Sequence, residues 1–334
     1  GRATIGEIQC NKEKEKQMRA VILRAWGDPS QFEVQEVEQP APGAGEVLVR
    51  VHASGTNPVE AKIRAGGSWA QIAPPVVLGY DVAGVVEAVG PGVTEFKPGD
   101  EVYYTPEIFG NQSGSYAEYN VAPATIMAKK PETLSFVEAA AIPLAGGTAW
   151  EAVIRRLQIQ PGESILIQGG AGGVGSFAVQ FAKAAGARVL ATASAGNQET
   201  LQGLGVDVAL DYANDDIVAA VQDETGGQGV DAVLELAGEN RVARSLPAVR
   251  PFGRIATILP PQGDLSSLYV NNVTLYGVFL TREGRRLREM RPLFEQGQVE
   301  PLVDQVLPLA EVAQAHERLD TGHGRGKIVL DLER

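Results

Sequence analysis

The stretch over 164–193 constrains the fold more than any other part of the chain. A short apolar run, 165–167, enters a turn with the spacing G-x-G-x-x-G, and an apolar helical face follows. Such glycines allow a tight turn, close approach to a pyrophosphate and close helix–strand packing, while free amides at the helix N-terminus receive the anion. A second apolar run, 188–192, closes the βαβ unit after Gly186. The stretch predicts a dinucleotide-binding turn, or alternatively a turn kept only for packing, made of Gly170, Gly172, Gly173, Val174 and Gly175.

Strand and helix patterns alternate after this unit as far as about residue 280. Six strands with intervening helices predict a doubly wound parallel sheet with right-handed crossovers. A helix broken from Pro143 to Gly147 is expected before it, and a last strand over 270–280 is expected at its edge.

Short strand-like runs separated by Gly and Pro fill residues 19–121 and predict a mostly β, barrel-like domain. Another strand pattern lies over 326–332 and needs a sheet to join, so we expect it to return to this first domain. The predicted fold class is therefore α/β, a Rossmann doubly wound parallel sheet plus a mostly β barrel domain.

Charge and composition exclude several classes of function. The net charge is −12, which argues against nucleic acid or an anionic membrane as the main partner. The single cysteine, Cys10, rules out an intramolecular disulfide and a cysteine-rich zinc site. No apolar run reaches the roughly 18–20 residues that span a bilayer, so we expect a cytoplasmic protein. The basic cluster over 285–291 is interpreted as a solvated helix face.

Several stretches in a fixed order carry a resemblance to a known family. They are NPVEAKIRAG (57–66), LGYDVAGVVEAVG (78–90), KPGDEVYY (97–104), GSYAEY (114–119), GGTAWEAV (146–153), GGAGGVGSFAVQ (169–180) and GRGKIVL (324–330). With these motifs the chain resembles the medium-chain dehydrogenase/reductase superfamily, in its zinc-independent quinone oxidoreductase branch, which includes zeta-crystallin. Residues 1–17 end in a charged run without apolar periodicity and are predicted to be a disordered extension, since the resemblance begins only at Met18. The resemblance implies a GroES-like substrate domain over 18–140 and 284–334, and a Rossmann domain over 141–283.

The resemblance also implies that zinc is absent. Asn57 stands where zinc-dependent relatives have a cysteine ligand, and Tyr80 with Asp81 replaces their His-Glu pair. The three histidines lie far apart in the sequence without metal-like spacing. We therefore expect no metal site.

The choice of coenzyme depends on the residues after 188–192. An NAD-binding fold usually places a carboxylate about 20 residues past the glycine turn, and this chain has Ser194 there with no acid nearby. Loss of that carboxylate favours NADP(H). The resemblance adds an expected tyrosine, present as Tyr212, and a lysine near position 198, where the chain has Gln198. An ordinary turn with a surface tyrosine is the alternative interpretation.

The resemblance implies hydride transfer from the nicotinamide to a small quinone or conjugated carbonyl bound between the domains. Asn57 and Tyr80 are the candidate catalytic residues, and a homodimer is expected because relatives often pair the last strand. A C=C reductase of enones or 2-alkenals, or a crystallin-like or vesicle-associated relative with little turnover, are the alternatives. Further positions along the cofactor are expected to be Thr148, Gly238, Phe279 and Lys327.

Overall fold

The computed structural model describes residues 16–334. Most of the extension predicted over 1–17, with Cys10, lies outside the described residues, and the first strand begins at Gln17. The first domain then runs through β1 Gln17–Leu23, β2 Phe32–Glu38, β3 Glu46–Gly55, α1 Pro58–Gly66, β4 Val76–Val77, β5 Val82–Val89, β6 Glu101–Tyr104, β7 Tyr119–Pro123, β8 Ala128–Lys129 and α2 Phe136–Ala140.

Strand β3 is the centre of this domain. Its valines Val47, Val49 and Val51 are buried, as the alternation in the sequence indicates. The strand pairs antiparallel with β5 and β7 in the larger of the two sheets of this domain. The smaller sheet has the strand order β2-β1-β4. The domain is therefore mostly β, as expected.

The second domain is a single parallel sheet between helices. Its strands lie in the order β11-β10-β9-β12-β13-β14, and every pairing is parallel, which confirms the doubly wound prediction. In the part of the chain that the structure describes, no helix is both long and apolar enough to cross a membrane. The elements are α3 Pro143–Trp150, β9 Ser164–Gln168, α4 Gly173–Ala184, β10 Arg188–Ala193, α5 Gln198–Gly203, β11 Val208–Asp211, α6 Ile217–Glu224, β12 Val230–Glu235, α7 Arg241–Ser245, β13 Val249–Thr257, α8 Ser266–Val270 and β14 Thr274–Gly277.

The helix break predicted from Pro143 to Gly147 is wrong. Pro143 is the first residue of α3, where a missing N–H costs no hydrogen bond, and a π-helix over Glu151–Arg156 continues α3. The two glycines inside α3 permit close packing instead, because a Cβ on Gly146 would lie 3.1 Å from Ile142 Cγ2.

The last strand predicted over 270–280 is also shorter than expected. Val270 ends α8, and Asn272 has a φ of +53°, which no extended strand contains. Only Thr274–Gly277 pairs, as β14 at the edge of the parallel sheet.

The chain returns to the first domain through α9 Gly284–Glu295, β15 Val303–Pro308, α10 Val312–Asp320 and β16 Lys327–Asp331. Strand β16 pairs antiparallel with β3 and parallel with β15. The expected return of the last strand is thereby confirmed, and it places the N-terminus of β16 at the junction of the two domains.

Helix α9 is not the simple solvated basic face that its arginines suggest. Arg286 is only 3% exposed and forms ion pairs with Glu151 at 3.2 Å and Glu283 at 2.7 Å. The neighbouring Arg285 pairs with Glu289 at 2.8 Å. Glu283 and Glu289 are near these arginines in the sequence, whereas Glu151 of the π-helix is distant, and together these acidic partners neutralise the face.

His316 on α10 is fully buried within the first domain. Its Nε2 atom lies 3.2 Å from the hydroxyl of Tyr116, and the ring of Phe32 packs edge-on at a centroid distance of 4.6 Å. Burial lowers the pKa of His316 from 6.5 to about 3, with a smaller contribution from the charge of Arg64. The imidazole is therefore neutral in the folded protein.

This neutral histidine makes stability depend on pH. Below pH 6.5 the unfolded chain binds a proton at His316 that the folded chain does not bind until about pH 3, so the free energy of unfolding falls as the pH falls. The contribution approaches about 1.4 kcal/mol per pH unit. We therefore expect the free energy of unfolding, measured by chemical denaturation from about pH 8 to about pH 5, to fall more steeply for the wild type than for His316→Phe. Parallel plots of this free energy against pH for the two proteins would contradict the prediction.

Candidate functional site

The glycine turn between β9 and α4 leaves no room for side chains at two of its positions. A Cβ on Gly170 would lie 2.8 Å from the Cβ of Ala191, and one on Gly175 would collide with the carbonyl oxygen of Gly169. A Cβ on Gly172, in contrast, meets only that carbonyl, at 3.5 Å. The turn therefore packs tightly against β10 and its own backbone while its outer side at Gly172 stays open.

Helix α4 begins directly at this open side. Gly172 is its N-cap and has no side chain, so the first-turn amides, including those of Gly173 and Val174, are available to an anion. Because the glycines are packed as a dinucleotide fold requires, these residues fit the pyrophosphate of a nicotinamide dinucleotide.

The start of β16 lies against the same turn. The amide of Gly326 donates to the carbonyl of Ala171 at 2.8 Å. A Cβ on Gly173 would lie 3.1 Å from Cδ of Lys327. The side chain of Lys327 thus runs beside the glycine turn and ends in the interior of the first domain.

A buried polar network receives the ammonium group of Lys327. It donates to the carbonyl of Thr56 at 2.7 Å and to Oδ1 of Asn57, and it pairs with Asp81 at 3.2 Å. Asp81, which is 0% exposed, also accepts from the amide of Leu144 at 2.6 Å. The network therefore joins β16, the start of α1, the start of β5 and the first turn of α3.

Glu60 is the second carboxyl of this network. It accepts from the backbone amides of Asn57 at 2.6 Å and Tyr80 at 3.1 Å, and from the side-chain amide of Asn57 at 3.2 Å. Burial raises the pKa of Glu60 to about 8, although the charge of Lys327 opposes the rise. Both ends of the Asn57 amide are occupied, since its nitrogen also donates to Asp81 at 2.9 Å.

The donor set of this network does not fit catalytic zinc. Zinc of that kind needs thiolate or imidazole ligands and an open coordination position. The network instead contains an ammonium group, an amide and two carboxyls that are already hydrogen-bonded. Within residues 16–334, no group of three His, Cys, Asp or Glu side chains is placed to hold a metal ion.

Tyr80 lies beside the network with an unused hydroxyl. Its side chain is 1% exposed, and among the described residues the hydroxyl has no hydrogen-bond partner. Burial raises the pKa of Tyr80 above its ordinary value, and Glu60 raises it further, while Arg282 acts in the opposite direction. The phenol stays protonated at neutral pH and can donate a hydrogen bond.

Three exposed aromatic side chains meet where the two domains face each other. Trp69, in a short 3-10 helix of the first domain, and Phe109, in a turn of the same domain, have ring centroids 6.2 Å apart. Phe109 lies 5.6 Å from Phe279, which follows β14 in the second domain. Arg282, whose guanidinium lies 6.0 Å from the Phe279 ring, connects this aromatic cluster to the surroundings of Tyr80.

The carboxyl ends of β10 and β11 carry the residues predicted to choose the coenzyme. Ser194 follows β10, and its hydroxyl accepts from the side chain of Asn197 at 3.3 Å. Tyr212 follows β11, is 38% exposed, and donates its backbone amide to Ala193 at 3.2 Å. Ser194 and Tyr212 are therefore neighbours at one edge of the parallel sheet.

The other predicted cofactor positions have different surroundings. The hydroxyl of Thr148 donates back to Leu144 at 2.7 Å within α3. Gly238 has a φ of +77° in the turn after β12, and a Cβ there would lie 2.7 Å from Leu259. Phe279 is 55% exposed and belongs to the aromatic cluster.

Sequence reasoning missed Glu60, the aromatic partners Trp69 and Phe109, and Arg282. For Glu60 a signal existed, because Asn57-x-x-Glu60 has the spacing of a capping box at the start of a helix, which the structure contains. The aromatic cluster had no such signal, since its members come from separate segments of the chain.

Comparisons with known proteins agree with this geometry. Residues 43–132 match the model of the alcohol dehydrogenase GroES-like domain, and residues 204–330 match a model described as zinc-binding dehydrogenase. The chain is 32% identical to a quinone oxidoreductase of Rattus norvegicus, over 95% of this chain and 99% of that one. It is 34% identical to an NADPH-dependent alkenal/one oxidoreductase of Arabidopsis thaliana, described as chloroplastic, over 94% of this chain and 80% of the relative. A solved alcohol dehydrogenase superfamily protein from Novosphingobium aromaticivorans superposes with a TM-score of 0.88 at 35% identity, covering 94% of this chain and 99% of that one.

Two glycine substitutions should separate packing from ligand binding. Gly175→Ala should lower the free energy of unfolding by roughly 1–3 kcal/mol, because the added methyl collides with Gly169. Gly172→Ala should change it by less than about 0.5 kcal/mol but weaken nucleotide binding, since the methyl projects into the open side of the turn. Denaturation without nucleotide and fluorescence titration with NADPH measure the two effects, and equal destabilisation by both variants would contradict the prediction.

The buried pair of Asp81 and Lys327 should be strongly coupled. Lys327→Met leaves a buried carboxylate without its cation and should cost roughly 3–5 kcal/mol of folding stability. The double variant with Asp81→Asn should lose less than the sum of the single variants. The pair of Asp100 and Lys129, at 3.3 Å, is the control, because the lysine is half exposed and Lys129→Met should cost only about 0–1 kcal/mol. Additive losses at Asp81 and Lys327 in chemical denaturation would show that they are not coupled.

Proposed function

The chain belongs to the medium-chain dehydrogenase/reductase superfamily, and from this premise we propose that it is an NADPH-dependent, zinc-independent reductase of quinones or similar conjugated carbonyls. The family membership makes it an oxidoreductase with a Rossmann sheet and a GroES-like domain. The observation that carries the narrower proposal is the buried, unpartnered hydroxyl of Tyr80 beside a network that has no zinc-binding donor set.

The coenzyme would be held by the glycine turn and the start of α4, with Lys327 against the turn. Ser194 and Tyr212 would contact its adenosine end, at the carboxyl ends of β10 and β11. A bound reduced nicotinamide supplies the hydride. The protein's own part is to bind and orient the reactants and to exclude water.

Tyr80 is proposed to donate a hydrogen bond to the carbonyl oxygen of the acceptor. Its raised pKa keeps the proton on the phenol, so it polarises the carbonyl without ionising itself. Asn57, whose amide is occupied on both sides, is proposed to act by holding Lys327 and Asp81 in place.

The aromatic cluster supports a flat, conjugated acceptor. Trp69, Phe109 and Phe279 are 46%, 41% and 55% exposed, and they lie on both sides of the interdomain seam. The space at the seam beside Arg282 encloses only about 10 Å³, which is roughly the least that can hold one water molecule. An acceptor therefore meets the aromatic faces first, and it reaches Tyr80 only when Arg282 or the domains move.

The cytoplasmic location and the homodimer remain proposals. What supports the homodimer is the edge position of β14, together with Tyr269 and Val270, which are 89% and 72% exposed beside it. An unpaired strand edge with neighbouring apolar side chains is usually covered.

Steady-state oxidation of NADPH by different acceptors tests the proposed function. We expect 9,10-phenanthrenequinone and 1,4-benzoquinone to accelerate it more than a short 2-alkenal, and we expect a metal chelator to leave the rate unchanged. Trp69→Ala should raise KM for phenanthrenequinone roughly three- to tenfold through lost stacking. Phe252→Ala, which removes another exposed aromatic ring at the opposite end of the sheet, is the control.

Other outcomes would redirect the assignment. Faster turnover of the alkenal than of either quinone would make the chain a C=C reductase. Binding of NADPH without acceleration by any acceptor would leave a nucleotide-binding relative with little catalysis, and inhibition by the chelator would overturn zinc independence.

A further inference from the structure

A side chain from the turn after β12 reaches across to Tyr212. Arg241 is the first residue of α7, and its amide donates to the carbonyl of Gly238 at 3.3 Å. Its guanidinium carbon lies 5.6 Å from the centre of the Tyr212 ring. Strands β11 and β12 flank the central pair β10 and β9. The segment after β11, which carries Tyr212, and the segment after β12, which carries Arg241, therefore meet near the carboxyl end of β10, where Ser194 lies.

Arg241 has no ion pair among the residues that the structure describes. This contrasts with Arg188, Arg250 and Arg254 of the same domain, each of which pairs with a carboxylate. Arg241 lowers the pKa of Glu235, but the larger effect is burial, which raises that pKa to about 7. A half-buried guanidinium is thus held on an aromatic ring, with no described carboxylate at ion-pair distance.

The position where the family places a lysine cannot supply this charge. The side-chain nitrogen of Gln198 donates to the carbonyl oxygens of Ala193 at 3.1 Å, Ser194 at 3.2 Å and Leu210 at 3.1 Å. The side-chain nitrogen of Gln198 therefore satisfies backbone carbonyls at the ends of β10 and β11 and is not directed to a ligand.

We propose that Arg241 is the cation that selects NADPH, by pairing with the 2′-phosphate while Tyr212 holds the guanidinium in place. A guanidinium matches a phosphate with two parallel hydrogen bonds and stacks on aromatic faces, which an ammonium group does less well. The hydroxyl of Ser194 lies at the same sheet edge and adds a neutral donor. NADH carries a hydroxyl in place of this phosphate, so the charge of Arg241 acts on NADPH alone.

This inference rests on the proposed function only in taking the bound coenzyme to be a nicotinamide dinucleotide, and its test needs no acceptor. Dissociation constants for NADPH and NADH are measured by fluorescence titration of the full-length protein. Arg241→Gln should weaken NADPH binding roughly 10- to 100-fold, the range of a lost charge-assisted hydrogen bond, and leave NADH binding within about twofold. Arg241→Lys should retain part of the preference because it keeps the charge.

Arg244→Gln is the matched control, since Arg244 is exposed one turn further along α7. It should leave both constants unchanged, and thermal unfolding of every variant should match the wild type. Equal weakening of NADPH and NADH by Arg241→Gln would overturn the inference and assign Arg241 to the part of the coenzyme that both share. No weakening, or tighter binding of NADH than NADPH by the wild type, would also overturn it. A protein that binds NADPH through Arg241 but reduces no acceptor would refute only the proposed reaction.

Discussion

The structure depends most on the buried ion pair between Lys327 and Asp81. Two charges out of water are costly unless every donor and acceptor is satisfied, and here Thr56, Asn57 and Leu144 complete the arrangement. Thr56, Asn57, Asp81 and Lys327 all belong to the first domain, and the amide of Leu144 in the first turn of α3 is the contact that the second domain adds. The hydrogen bond from Leu144 to Asp81 thus ties the buried pair to the seam between the domains.

The glycine turn and the network act as one assembly. Gly326 bonds to Ala171 in the turn, and the next residue, Lys327, enters the network. A shift of the turn that alters phosphate contacts would therefore move the ammonium group, and through Asn57 it would reach Glu60 and the backbone of Tyr80. These few bonds therefore link the glycine turn to the backbone of Tyr80.

The sequence predicts the parts of this fold that local patterns determine. Apolar periodicity and the glycine spacing indicate the six parallel strands, and the order of motifs indicates the family. Pairings between distant residues leave no local trace, as with Asp81 and Lys327, which are 246 positions apart. Arg286 illustrates the same limit, because its burial depends on Glu151 from another helix. Pro143 was misread for a different reason, since a proline that ends one helix and one that begins the next look alike in the sequence.

The position of β16 in the chain has a consequence for synthesis on the ribosome. Lys327 bonds to the carbonyl of Thr56, which leaves the ribosome 271 residues earlier. Until β16 emerges, the edge of β3 that it will cover is unpaired, and Asp81 and Glu60 have no cation. The parallel sheet, whose strands lie between α2 and α9 in the sequence, is built from units that follow one another along the chain, so it can assemble while it is being translated. The mostly β domain is therefore completed only after the parallel sheet has been made, and the network around Asp81 exists only once β16 has left the ribosome.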